Sequence, residues 1–203
     1  MTDMTKGSPI KLILAFMIPI LIGNLFQQLY SMVDTAIVGK FVGVQALAAV
    51  GATGGLVFLI LGFINGLTHG FSVIISQRFG SNDEEGVKKA TAMSIYLSAI
   101  ATVIITIICM IFAKPLLQIM NTPADILADA NTYVSIIFGG IIATISYNLL
   151  ASVLRAFGDS KTPLYFLIIA SITNIVLDLV LIINFNMGVA GAAAATIASQ
   201  GLS

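Results

Sequence analysis

The spacing of the charged side chains constrains this chain more than any other feature. Six stretches of 16 to 37 residues contain no Asp, Glu, Lys or Arg, and they lie at 12–33, 41–77, 90–113, 130–154, 162–177 and 179–203. About 20 apolar residues in a helix are enough to cross the hydrocarbon core of a bilayer. The stretches do not alternate between apolar and polar residues, as the strands of a membrane barrel would. The spacing therefore predicts an all-α polytopic membrane protein.

The composition agrees with this prediction and excludes a soluble single-domain enzyme. Hydrophobic residues make up 58% of the 203 residues and charged residues 9%, against about 45–50% and 25% in ordinary soluble domains. Nine basic and nine acidic side chains cancel, so no net charge favours a nucleic-acid partner. The single cysteine, Cys109, lies in an apolar run and can form no internal disulfide. We expect neither an enzymatic activity nor a bound cofactor.

Helix caps, prolines and glycines divide the chain into six predicted helical segments. Ser8-Pro9, Thr122-Pro123 and Thr162-Pro163 are typical of helix starts. The predicted segments are 10–38, 44–80, 86–112, 123–157, 163–185 and 189–203. The sixth segment has about 15 residues, which is short of a membrane span. We therefore expect a truncated last helix and a natural protein that is longer than this chain.

The distribution of Lys and Arg predicts the orientation in the membrane. Cytoplasmic connections carry an excess of these residues. A cytoplasmic N-terminus places seven basic residues inside and two outside: Lys6, Lys11, Arg78, Lys88, Lys89, Arg155 and Lys161 against Lys40 and Lys114. The N-terminus is therefore predicted to be cytoplasmic, and Arg155 and Lys161 are expected to anchor helix ends at the cytoplasmic surface.

Two acidic residues, Asp34 and Asp178, lie inside predicted spans. An ionised carboxylate in hydrocarbon costs several kcal/mol, so such residues usually face a cavity, form a pair or take part in ion movement. A carboxylate at the interface is the alternative, and it fits Asp34, near a segment end, better than Asp178. Measured from the outer helix ends at about 1.5 Å per residue, Asp34 lies about 7 Å deep and Asp178 about 9 Å deep.

Two further polar residues are predicted to meet this acid pair. Thr196 lies about 11 Å and Asn174 about 15 Å from the same outer ends. Asn174 and Asp178 are four residues apart and therefore share one helix face. The resulting set of carboxylate, amide and hydroxyl oxygens suits a hard cation such as Na⁺, or a shared proton.

Other polar and small residues give weaker signals. For Gln27, Gln28 and Tyr30, a place on the wall of the same cavity and simple interhelical hydrogen bonding are equally favoured. Packing is favoured over a proton relay for His69, the single histidine. A repeated G-x-x-x-G pattern indicates close helix packing on the second segment, and it consists of Gly62, Gly66 and Gly70.

Taken in order, these residues resemble the N-terminal lobe of the multidrug and toxic compound extrusion (MATE) transporters. The matching stretches are Pro19 with Gln27-Gln28, then 31–39, 154–163, 174–178 and 188–193 leading to Thr196. The resemblance implies a transporter of twelve helices in two six-helix lobes. This chain would supply the N-terminal lobe with its last helix truncated, in the plasma membrane, and the C-terminal lobe would be a missing partner.

The resemblance also implies an activity and a site. Members of the family alternate access across the membrane and export organic cations and other drugs in exchange for Na⁺ or H⁺. In members with a cation site in this lobe, the site corresponds to Asp34, Asn174, Asp178 and Thr196. Pro19 corresponds to a proline proposed to bend the first helix. One lobe alone is not expected to transport.

Three alternatives to an antiporter remain. A flippase for lipid-linked sugars shares this helix plan, but it would carry more cationic residues in its cavity than segments one, two, three and five do. An intramembrane aspartyl protease could activate a water with two carboxylates, but it would need Gly-x-Gly-Asp where Asp178 follows Val-Leu. A channel is favoured if no gradient-driven accumulation occurs.

Overall fold

The structure is a computed structural model, and it describes residues 8–202. Throughout that range the chain is helical and contains no strand, which confirms the predicted all-α class. Lys6, which contributes to the orientation count, lies outside the described residues, as does position 203 at the end of the sixth predicted segment.

Seven α-helices and two short π-helical turns make up the described range. The α-helices are α1 (Pro9–Ile37), α2 (Val44–Gly80), α3 (Glu84–Ile119), α4 (Leu127–Gly139), α5 (Ile141–Ala156), α6 (Lys161–Leu179) and α7 (Gly188–Leu202). The first π turn (Val38–Val42) continues α1, and the second π turn (Val180–Asn184) continues α6. We call the end of the bundle with the α2–α3 and α5–α6 connections the near end, and the opposite end the far end.

Several of these helices can cross a membrane by length and composition. Within residues 8–202 four helical stretches qualify, namely Ile10–Val42, Val44–Gly80, Glu84–Ile119 and Lys161–Asn184. The pair α4 and α5 makes a fifth if it counts as one span bent by 47°. The protein is therefore a multi-pass membrane protein.

Two predicted helix boundaries differ from the structure. The third helix was predicted to end at residue 112, but α3 continues past Pro115 to Ile119. Proline removes one backbone hydrogen bond, and burial of the residues beyond it offsets this loss, since Leu117 is completely buried. The fourth predicted segment, 123–157, forms two helices that begin only at Leu127, because a turn closed by the Ile126 N–H and the Pro123 carbonyl comes first.

The bend between α4 and α5 lies at a pair of glycines. Gly139 ends α4 and Gly140 precedes α5. A Cβ atom at Gly140 would collide with the side chain of Ile197 on α7. The missing side chain therefore lets α7 pack closely against the bend.

The helices pack in a pattern that leaves one face of α2 uncovered. The described contacts join α1 to α6, α2 to α3 and α5, and α7 to α4 and α6. The prediction of close packing at the α2 glycines is wrong within residues 8–202, because no atom of a neighbouring helix lies within 4 Å of a Cβ placed at Gly62, Gly66 or Gly70. The opposite face of α2, with Ile64 and Thr68 buried, makes the packing contacts instead.

Candidate functional site

A pair of buried carboxyl groups lies where α1 and α6 end. Asp34 is in the last turn of α1 and 7% exposed, and Asp178 is in the last turn of α6 and completely buried. The two carboxyl groups lie within hydrogen-bonding reach of each other. One oxygen of each, Oδ1, has no hydrogen-bond partner among the described residues. Buried polar atoms are normally paired, so these two oxygens indicate a place for a ligand.

An amide links the acid pair to α7. Asn174 is completely buried one turn before Asp178. In the amide orientation that satisfies both of its groups, Nδ2 donates to Asp178 Oδ2 at 3.0 Å and Oδ1 accepts from the Thr196 N–H at 3.2 Å. The Thr196 hydroxyl donates to the Ala192 carbonyl at 3.0 Å. The structure thus brings Asp34, Asn174, Asp178 and Thr196 together.

Two tyrosines complete the surroundings of the carboxyl pair. The Tyr30 hydroxyl lies within hydrogen-bonding reach of Thr196. Tyr133 of α4 is 9% exposed and interacts electrostatically with Asp34, Asp178 and Tyr30. The sequence reasoning missed Tyr133, although a phenol inside an uncharged stretch is a polar group that needs a partner when buried. We call these six residues the acid cluster: Tyr30, Asp34, Tyr133, Asn174, Asp178 and Thr196.

The backbone changes from α to π geometry directly beyond each acid. Asp34 precedes the first π turn by four residues, and Asp178 precedes the second by two. The Gly43 N–H bonds to the Val38 carbonyl and the Phe185 N–H to the Val180 carbonyl, each at 3.2 Å and five residues apart. The two π turns also contact each other. Single π turns inside helices are frequent at functional sites.

A polar cavity of about 320 Å³ lies between α1, α2, α5, α6 and α7. It extends from Tyr30, at the acid cluster, to Arg155 and Ser160 at the near end. Of the residues predicted to line a cavity, Gln27 and Tyr30 do so and Gln28 does not. Pro19, buried within α1, also lines it. Other polar residues of the wall are Asn24, Asn65, His69, Thr144, Tyr147 and Asn148.

Two residues lie differently from what the sequence suggested. Arg155, expected at the membrane surface, is half-buried and lines the cavity, whereas Lys161 is exposed. His69 lines the cavity from an exposed position on α2 and does not pack into the core.

The acid cluster offers only oxygen ligands and one amide. Two carboxyl groups in contact can both be ionised only with a cation between them, and otherwise they share a proton, because like charges repel strongly in apolar surroundings. Carboxylate, amide and hydroxyl oxygens are the ligands that hard cations prefer. The arrangement is therefore suited to reversible binding of a small cation or a proton.

Comparisons with known proteins agree on one family. The MatE family model matches residues 19–180. The probable multidrug resistance protein YpnP of Bacillus subtilis (strain 168) is 37% identical over 207 residues, which cover 98% of this chain and 45% of that protein. The probable multidrug resistance protein YoeA of the same strain is 33% identical over 188 residues, covering 91% and 41%. The chain thus spans about half the length of these relatives.

A solved structure shares the fold as well as the sequence. It is described as the outward-facing conformation of a multidrug resistance MATE family transporter of the MOP superfamily. The TM-score is 0.91 at 32% sequence identity, and the match covers 97% of this chain and 43% of that chain.

Proposed function

This chain belongs to the MatE family, whose members are transporters, and from that membership we propose that it forms the N-terminal lobe of a cation-coupled multidrug antiporter. The whole protein would export drugs and organic cations across the plasma membrane by alternating access, in exchange for Na⁺ or H⁺. The names of the relatives support multidrug efflux, since YpnP and YoeA are described as probable multidrug resistance proteins.

The observation that carries this proposal is the position of the acid cluster beside the cavity. The carboxyl pair is buried and has two oxygens without a partner. Tyr30 belongs to both places, because it lines the cavity and its hydroxyl reaches Thr196. An ion at the carboxyl pair and a drug in the cavity would therefore each affect the position of the same side chain.

Exchange requires that ion and drug prefer different states of the transporter. When Na⁺ or a proton binds at Asp34 and Asp178, it offsets the repulsion between the two carboxylates and keeps the ends of α1 and α6 together. Release of the ion leaves this repulsion uncompensated, so that the two helix ends move apart. A change in the separation of these helices alters the cavity between them, so that ion entry and drug binding compete. A preference of about 100-fold between the states corresponds to about 2.7 kcal/mol of coupling.

The proposed orientation has the N-terminus in the cytoplasm. Arg78, Lys88, Lys89 and Lys161 lie at the near end, and Lys40 and Lys114 lie toward the far end. The positive-inside rule then assigns the near end to the cytoplasm. The cavity would open from the cytoplasmic half, while the acid cluster would lie nearer the outer surface.

A flippase for lipid-linked oligosaccharides is the second candidate. One observation favours it, namely that Arg155 lines the cavity, where a guanidinium can bind phosphate. Among the described residues that line the cavity, Arg155 alone carries a formal charge. The antiporter is better supported because the buried acids have no role in moving a neutral sugar or an anionic phosphate.

The test uses the whole protein in inside-out vesicles. Accumulation of a fluorescent cationic dye is followed under an imposed Na⁺ or H⁺ gradient. We expect uptake by the wild type and a loss of at least about tenfold in Asp34→Asn and Asp178→Asn, because removal of a buried charge partner costs more than 1.4 kcal/mol. Asp129→Asn, an exposed acid in the first turn of α4, is the matched control and should keep full uptake.

Three results would contradict this proposal. Uptake retained in both acid variants would place the coupling outside this lobe. Uptake without any gradient would favour a channel. No uptake of any cationic dye by folded wild type, together with translocation of a labelled lipid-linked sugar, would favour the flippase.

A further inference from the structure

Arg155 is a half-buried cation without an anionic partner in the described part of the chain. It lies in the last turn of α5 and lines the cavity at the near end. The ion pair found between described residues joins Arg78 to Asp83 at 3.0 Å. A buried charge that lacks a partner is costly, and buried charges are normally paired. The position of Arg155 therefore calls for an anion.

The nearest acid along the chain is already engaged. Asp159 accepts hydrogen bonds from the N–H groups of Lys161 and Thr162, each at 3.0 Å. It also accepts one from the Thr162 hydroxyl at 2.7 Å. These bonds hold its carboxylate at the start of α6, and no ion pair joins it to Arg155 among the described residues. The anion has to come from outside these residues.

The neighbours of Arg155 add polar groups to the same end of the cavity. Tyr147 and His69 both interact electrostatically with the guanidinium. The Tyr147 hydroxyl lies 3.4 Å from the Pro163 carbonyl, a long hydrogen bond that leaves it able to turn toward a ligand. Guanidinium, imidazole and phenol are groups that together bind an oxyanion.

We propose that Arg155, Tyr147 and His69 form an anion-binding subsite that takes a carboxylate or phosphate group. This inference rests on the proposed function, because it gives the transported ligand a second recognition point. The acid cluster lies at the other end of the same cavity. Pro19 and Tyr30 both line the cavity from α1, and the eleven residues of helix rise between them give the cavity a length of about 16 Å. A ligand with an anionic group at one end and a cationic or polar group at the other fits between them.

The experiment measures binding of two matched probes to the whole protein purified in maltoside detergent. One probe is a xanthene dye with a free carboxylate, and the other is the methyl ester of the same dye. Fluorescence anisotropy gives the dissociation constant of each. Wild type is compared with Arg155→Gln, Arg155→Lys and the control Lys161→Gln, which alters an exposed cation at the same end.

We expect the wild type to bind the carboxylate dye more tightly than the ester. Arg155→Gln should weaken binding of the carboxylate dye by at least about tenfold, because charge-assisted hydrogen bonds are lost, and should leave the ester within about twofold. The affinity of Arg155→Lys for the carboxylate dye should lie between those of wild type and Arg155→Gln, since lysine keeps the charge without the bidentate geometry. Lys161→Gln should change neither dye.

Two results would overturn the subsite. The first is equal binding of both dyes by the wild type, a result that does not depend on whether any variant folds. Alternatively, Arg155→Gln could weaken both dyes by the same factor, which would make Arg155 a structural residue. Specific binding of the dyes without gradient-driven transport would contradict the proposed function and leave the subsite standing.

Added phosphatidylglycerol identifies the source of the anion. If this lipid displaces the carboxylate dye from wild type, the subsite takes a lipid phosphate in the membrane. If the lipid has no effect while Arg155→Gln still discriminates between the dyes, the subsite serves the soluble ligand. Either result supports an anion subsite at Arg155.

Discussion

Tyr133, from α4, interacts electrostatically with both carboxyl groups and so adds a third helix to the surroundings of the pair, besides α1 and α6. Replacement by phenylalanine keeps the ring and its packing and removes one hydroxyl. We expect Tyr133→Phe to raise the Na⁺ or H⁺ concentration for half-maximal dye uptake by up to about fivefold, because removal of a buried polar group beside the carboxyl pair costs about 1 kcal/mol. The measurement is uptake as a function of ion concentration. Tyr96→Phe, on an exposed tyrosine of α3, is the control, and equal curves for Tyr133→Phe and wild type would contradict the prediction.

The Asp159 carboxylate caps α6 from outside the membrane-spanning segments. Hydrogen bonds from Thr162 and Lys161 lower its pKa below the ordinary range of an aspartate. Because the pKa is lower in the folded state than in the unfolded state, the cap stabilises the protein above the unfolded pKa. The stabilisation is lost as the pH falls through the folded pKa.

Asp159→Ala should therefore lower the free energy of unfolding by about 1 kcal/mol at neutral pH. The difference from wild type should shrink under strongly acidic conditions, where the wild-type carboxylate is protonated as well. Thermal unfolding of both proteins across the pH range gives the comparison. A constant difference at every pH would mean that the cap does not act through its charge.

At the residue scale, the sequence allowed Asp34, Asn174, Asp178 and Thr196 to be grouped because helix rise and the i,i+4 spacing set their depths and faces. Tyr133 was not predictable in the same way. It comes from a segment whose bend at Gly140 changes its direction, and depth arithmetic assumes straight helices. Arg155 was taken for a surface anchor because rotation of a helix about its axis is not determined by charge spacing.

Among the helices, the bend between α4 and α5 is the point where one side chain decides the packing. Gly140→Ala should lower the free energy of unfolding by about 1–3 kcal/mol, because the added methyl group overpacks against Ile197. Gly139→Ala is the matched control, since nothing lies within 4 Å of a Cβ at that position. It should be neutral or slightly stabilising, as alanine favours helix over glycine. The midpoint of thermal unfolding in detergent measures both, and equal midpoints would contradict a tight contact at Gly140.

Caps and apolar runs placed the starts of α1, α2, α3, α6 and α7 within two residues, but α4 begins four residues late and the start of α5 was not predicted. The π turns were not predicted either, because the residues of Val38–Val42 and Val180–Asn184 have no composition that separates π from α geometry. The contact between the two turns joins residues far apart in the sequence and is equally invisible in the composition. The G-x-x-x-G pattern on α2 predicted a helix contact that residues 8–202 do not contain. A small residue permits close approach but does not specify which helix approaches.

For the molecule as a whole, the orientation can be tested with two cysteines. Glu85→Cys lies at the near end and Asp125→Cys at the far end, both at exposed positions, in a Cys109→Ala background. A membrane-impermeant maleimide applied to intact cells should label Asp125→Cys and leave Glu85→Cys unlabelled. Permeabilised cells should give labelling of both. Labelling of Glu85→Cys alone in intact cells would invert the proposed topology.

The class of the protein was predictable from charge spacing, but the arrangement of its helices was not. In a bilayer, the lipid chains are as apolar as the helix surfaces, so burial of apolar side chains does not select a neighbour. Close contacts at a few small residues decide instead, as at Gly140, where a Cβ would collide with the side chain of Ile197 of α7. Such contacts become visible only in three dimensions.

The cavity also determines how much water the lobe contains. A volume of about 320 Å³ holds on the order of ten water molecules at about 30 Å³ each. With asparagine, threonine, tyrosine and arginine side chains on its wall, that water is hydrogen-bonded, and an entering molecule must replace its bonds. A purely apolar compound would gain more by dissolving in the surrounding lipid than by displacing this water. Under the proposed function, we therefore expect the hydration of the cavity to favour amphiphiles, whose polar groups take over the bonds that the water gives up.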